Sequence, residues 1–146
     1  MKGVEQMGLG HNREEEIRSF ETVLLCLSGM RYTAEYEILF RDGSAEISQY
    51  AIRFSKEGDQ RVPEKRAVCS EKEILQLLNS CKLLAWDGFS GAHPKGVRDG
   101  IMFRLEAVVN GNHRIYATGS ENFPKHFRDF TDGLNRFLSR DREGCV

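Results

Sequence analysis

Residues 99–139 limit the possible folds more than any other part of this chain. Asp99-Gly100 opens an alternating run (Ile101, Phe103, Leu105, Ala107, Val109) that ends at Asn110-Gly111. A second extended run reaches Gly119, and Ser120-Glu121-Asn122-Phe123-Pro124 leads into a helical pattern. Alternation means one face of a strand is buried, and Asn-Gly supplies the left-handed backbone of a tight hairpin. A β-hairpin therefore passes directly to an amphipathic helix whose stripe is Phe127, Phe130, Leu134, Phe137 and Leu138. Pro124 suits a first helical position, where its missing donor costs nothing. Ser120 or Asn122 would cap that helix. Gly133 in the helix interior points to close packing against the sheet.

The hairpin register has two solutions. A two-residue turn puts Tyr116 on the face of Leu105. A three-residue turn that includes Asn112 puts Ile115 and Ala117 there and buries more apolar surface, so it is preferred.

The same plan occurs earlier, over residues 34–85. Val23, Leu25 and Leu27 alternate with Leu24 and Cys26, so the strand from Thr22 is apolar on both faces and reads as central; Gly29 ends it. Ala34, Tyr36, Ile38 and Phe40 alternate with polar residues, and Asp42-Gly43 marks a hairpin turn. The return strand changes phase between Ile47 and Tyr50, Ile52, Phe54, which suggests a bulge or a break. Residues 55–64 read as a polar loop and Lys65–Cys69 as a short edge strand. Ser70 and Glu73 form a capping box before a stripe of Ile74, Leu77, Leu78, Cys81 and Leu84 or Ala85.

The simplest assembly is α+β: an antiparallel sheet of about five or six strands with two helices packed on one face, a two-layer sandwich. The opposite face would carry Met102, Arg104, Glu106 and Val108, solvated or used for a homodimer. A length of 146 residues fits one domain, taken as residues 20–140 between a flexible tail at 1–19 and a short tail at 141–146. Asn12 with Glu15, followed by Ile17 and Phe20, resembles the start of a short helical turn within the first tail.

Composition bounds the function. The 21 basic residues are balanced by 22 acidic ones, which argues against general nucleic-acid binding. The place such binding would use is the cluster Arg53, Lys56, Arg61, Lys65 and Arg66, with Tyr50 and Phe54 between. A solvated edge blocked by cations is the better reading. No stretch approaches the roughly 20 apolar residues of a membrane span, and no apolar core of signal-peptide type opens the chain, so a cytoplasmic, reducing setting is expected. Cys26, Cys69, Cys81 and Cys145 show no CxxC spacing; Cys26 and Cys81 read as small core hydrophobes and Cys145 as exposed.

No cofactor or metal pattern is present. Gly8-Leu9-Gly10 follows no strand, and His11, His93, His113 and His126 form neither HxH nor HExxH. Reactive residue types gather instead in loop 86–99, as Trp86, Asp87, His93, Lys95, Arg98 and Asp99. A small hydrolase would use His93 as a general base oriented by Asp87 or Asp99, with Arg98 holding an anionic substrate. Ser120 and Asn122, before the last helix, would add an anion-binding turn. The plainer reading makes Trp86 and Phe89 core plugs and the Asp-Gly pairs turns. It leaves a non-enzymatic module that binds a protein partner or a small ligand, and it is preferred because no diagnostic nucleophile spacing occurs.

Trp86-Asp87-Gly88-Phe89, Asp99-Gly100-Ile101-Met102-Phe103-Arg104-Leu105 and Ile115-Tyr116-Ala117-Thr118-Gly119-Ser120-Glu121-Asn122-Phe123-Pro124 together resemble a group of small bacterial proteins of clostridial type. These share an Asp-Gly, an alternating strand, a Gly-Ser-Asn-like turn, an aromatic-Pro pair and a closing helix. The resemblance covers about the last 60 residues. It implies the C-terminal fold and a bacterial source, and it implies no activity.

Overall fold

The computed structural model describes residues 16–29, 33–97 and 100–144, with side chains to Arg140. Its strands are β1 (Phe20–Ser28), β2 (Thr33–Arg41), β3 (Ser44–Arg53), β4 (Gln60–Ser70), β5 (Ser90–Gly91), β6 (Met102–Val109) and β7 (His113–Ser120). Helices α1 (Glu71–Ser80) and α2 (Phe127–Gly144) and a 3-10 turn at Leu83–Trp86 complete it. The class is α+β. The sheet has seven strands rather than five or six, in the order β4-β3-β2-β1-β6-β7-β5. It is mixed, because β5 pairs with β7 in parallel.

Both hairpins follow local chemistry. Asp42 (φ +55) and Gly43 (φ +79) make the two-residue turn between Arg41 and Ser44. In the second hairpin Val109 pairs with His113, so the turn holds three residues. Leu105 then faces Ala117, and Ala107 faces Ile115. The apolar strand β1 is indeed central, flanked by β2 and β6.

The phase change in β3 is not a break. β3 pairs with β2 without interruption from Ser44 to Ala51, so Tyr50 and Ile52 simply point to the outer face. The extra residue is Glu64, in β4, between the pairs Gln49–Lys65 and Tyr50–Pro63. β4 is also longer than expected, and the second half of the expected polar loop, from Gln60, belongs to it. Proline at a bulge on an edge strand forfeits no interior ladder bond.

Ile74, Leu77 and Leu78 of α1 share one core with Phe130, Leu134 and Leu138 of α2 and with inward residues such as Leu25, Ile47 and Leu105. The expected sandwich needs amendment, because two helices alone do not cover the sheet. The 3-10 turn joins the same layer through Leu83 and Trp86, both buried. Ser70 Oγ accepts from Glu73 N at 3.1 Å, which caps α1 as expected. The helix stops early because Lys82 is left-handed (φ +56), and this turns Leu83 fully into the core, with Leu84 packed partly against it and Ala85 exposed.

Two further expectations are corrected. Residues 16–19 form no helical turn. They pack: Ile17 is 2% exposed. Its N–H donates to Asn79 Oδ1 at 2.8 Å, while Asn110 Oδ1 accepts from Arg18 N at 2.7 Å. The packed unit thus begins before residue 20, while Asn12, Glu15 and Cys145 lie outside the described residues. Gly133 admits α1 rather than the sheet, since a Cβ there would sit 2.5 Å from Leu77 Cδ1.

Candidate functional site

The residues singled out in loop 86–97 fasten a strap to the open edge of β7. Gly88 N donates to Tyr116 O at 2.9 Å, and Asp87 Oδ1 accepts from Tyr116 N at 3.0 Å. Thr118 N donates to Phe89 O at 3.0 Å, and Asn122 Nδ2 donates to Ala92 O at 3.2 Å. An edge strand offers unpaired N–H and C=O groups, and the strap satisfies several of them. Trp86 is a core residue, 2% exposed, with its indole N–H on Lys125 O at 3.1 Å. Arg98 and Asp99 lie outside the described residues.

His93 and Ser120 come together across 27 positions, with Nδ1 and Oγ 2.7 Å apart. The other ring nitrogen, Nε2, contacts the Val97 carbonyl. A carbonyl only accepts, so Nε2 donates to it, and Nδ1 shares a second hydrogen bond with Ser120 Oγ. Neither Ser120 nor Asn122 caps α2, contrary to expectation: both side chains bond the strap instead. The helix begins at Phe127, three residues past Pro124, because His126 is left-handed (φ +71). That conformation costs a non-glycine residue about 1–2 kcal/mol.

The strained His126 stands on the rim of a cleft of about 580 Å3, which sequence reading missed. Leu27, Ile101, Phe123 and Phe127 give it apolar surface. Phe123 and Phe127 are stacked, with centroids 4.6 Å apart and planes 27° apart. Phe127 in turn stacks on buried Trp86 at 5.8 Å. The cleft's polar lining includes Arg128, Thr131, His126, whose Nδ1 lies 3.1 Å from Asp129 Oδ2, and Asn135, whose Oδ1 accepts from Tyr36 O–H at 3.1 Å. Sequence pattern could flag the aromatic stripe but not the cleft, because Tyr36 and Asn135 are 99 positions apart.

The outer sheet face is laced with ion pairs. Arg61 reaches Glu35 at 2.9 Å and Glu37 at 3.5 Å, and its guanidinium lies 3.9 Å from the Tyr50 ring centroid. Arg66 pairs with Glu46 at 3.0 Å, and Arg104 with Glu106 at 2.8 Å. Two cations of the basic cluster are thereby neutralised by carboxylates on the same face, which leaves less charge to meet phosphates. Cys26 lies half-buried on this face rather than in the core. Burial, with the Glu35 carboxylate beside it, pushes its thiol up to about 11, so it is a poor nucleophile. Burial likewise raises the Cys81 thiol.

Among the described residues no three His, Cys, Asp or Glu side chains converge to hold a metal. No helix of the described residues is long and apolar enough to cross a membrane. Compared with known proteins, the chain matches no family model, no curated protein and no solved structure.

Proposed function

We propose that the protein is a non-enzymatic binding module that holds a small ligand in the cleft beside the start of α2, in a bacterial cytoplasm. The observation that carries this reading is the cleft's make-up: stacked phenyl rings below, and a few polar groups on the rim. Ligand sites are mostly apolar concavities of 300–1,000 Å3 with a small number of orienting polar groups. Strain kept at His126 supports the same reading, since strained backbone collects where ligands bind. Of the reacting groups expected in loop 86–99, Asp87 holds a backbone amide and His93 is bonded at both nitrogens.

A thermal-shift screen with a chemically diverse small-molecule library tests this. Hits should raise the melting temperature, because a ligand that binds only the folded chain stabilises it by mass action. Thr131→Arg, which fills the cleft from its wall, should abolish those shifts. Shifts that persist in this variant would move the site elsewhere.

One observation favours a second reading, a small hydrolase. The Ser120–His93 pair has the spacing of a nucleophile and its base, with the Val97 carbonyl orienting the ring. Two N–H donors just after Ser120 are engaged elsewhere, Glu121 N on Ile101 O and Asn122 Nδ2 on Ala92 O, and so do not steady an oxyanion. A fluorophosphonate probe decides between the readings. No labelling at Ser120 is expected, and labelling that disappears in His93→Ala would replace the binding module with an enzyme.

A further inference from the structure

We infer that the cleft takes a planar heteroaromatic compound with a hydrogen-bond donor and acceptor side by side on one edge. This rests on the cleft being the working site and adds the chemistry of its occupant. Two observations argue for it. Trp86, Phe127 and Phe123 form a run of near-parallel rings, with interplanar angles of 29° and 27°. Trp86 is buried, as is Phe103, which lies 5.6 Å from Phe123 and 4.9 Å from Phe127; Phe123 and Phe127 are half-buried and give this aromatic cluster its surface on the cleft. Offset stacking continues such a run more favourably than an aliphatic body does.

The edge specificity comes from Asn135. Tyr36 O–H donates to its Oδ1 at 3.1 Å. The second lone pair of Oδ1 and the two hydrogens of Nδ2 then present an acceptor beside a donor. A lactam or amidine edge is the complement of that pair. Arg128 and Asp129 also line the cleft, and Asp129 Oδ2 faces His126.

The test is a 15N–1H NMR titration of the full chain with quinazolin-4(3H)-one, and with cyclohexanecarboxamide as a non-planar control carrying an amide edge. The flat lactam should shift the amides of Leu27, Thr131 and Asn135, and the control should leave them still. Asn135→Leu, at an exposed position, should weaken the lactam at least tenfold. His126→Gly should weaken it at least threefold while the melting temperature holds or rises, because glycine relieves the positive φ. A purely structural His126 would instead lower the melting temperature and leave affinity unchanged. Equal binding of the control would sink the planar class while the cleft remains a site. Undiminished lactam binding by Asn135→Leu would sink the edge recognition. If neither probe nor any member of a mixed fragment set shifts a cleft amide, both the inference and the reading beneath it fall.

Discussion

At Lys82 a single backbone angle decides which leucine enters the core. With φ +56 the residue ends α1 and turns Leu83 inward to full burial. Lysine has no local means of favouring that conformation, whereas glycine adopts it freely. Lys82→Gly should therefore stabilise the fold by about 1 kcal/mol in urea denaturation, the relief of positive φ exceeding the glycine's extra unfolded-state entropy. A loss of stability would show that the lysine side chain contributes more than its strain costs. Some residue roles could be read from sequence because their partners are near: Ser70 and Glu73 cap α1 across three positions. Others could not. Asn110 looked like a turn residue, and is one, but its side chain also anchors Arg18 and Ser19 from more than 90 positions away. Periodicity contains no information about such a contact.

Between elements, the two helices are joined by packing and one clamp. Gly133 lets Leu77 approach α2, and Arg140 Nη2 meets Glu73 Oε2 at 2.5 Å. The bond to Arg140 holds the Glu73 carboxyl below its usual value of 4.5. A lowered carboxylate pKa adds stability above the ordinary value and loses it as pH falls through the lowered one. Both groups are more than a third exposed, so the contribution is small. Arg140→Ala should destabilise the protein by less than about 1 kcal/mol at pH 7, with the difference shrinking steadily below pH 4.5. Urea titrations of both proteins at pH 7 and pH 3 measure this, and a gap that persists at pH 3 would assign the effect to lost packing. Alternation identified the hairpins because it reports which face is buried. It changes phase within β3, since Tyr50 and Ile52 are apolar yet face outward. Tyr50 packs there beneath the Arg61 guanidinium, a stabilising partner that a hydrophobic pattern does not contain.

Across the whole molecule, both margins of the sheet are closed, by different means. β4 carries Arg61, Pro63, Lys65 and Arg66 and a bulge at Glu64, features that discourage a further strand. The β7 margin is covered by the strap, whose strand β5 is only two residues long. Stability should fall from the centre outward, because β1 is paired on both sides and buries Val23 and Leu25 almost completely. Native-state hydrogen exchange should find the amides of β1 slowest and the β5–β7 pairing among the first to open. Equal protection of the two would make the strap part of the same cooperative unit. The order of residues was enough to determine two hairpins, two amphipathic helices, a doubly apolar central strand and the three-residue turn at Asn110, because each depends on neighbours in the chain or on which side of an element is greasy. The parallel strand β5, the strap over β7, the pairing of His93 with Ser120 and the ring-floored cleft were decided only by folding. Each brings together groups 27 or more positions apart, and which distant groups meet depends on how the layers stack, a property no local pattern carries.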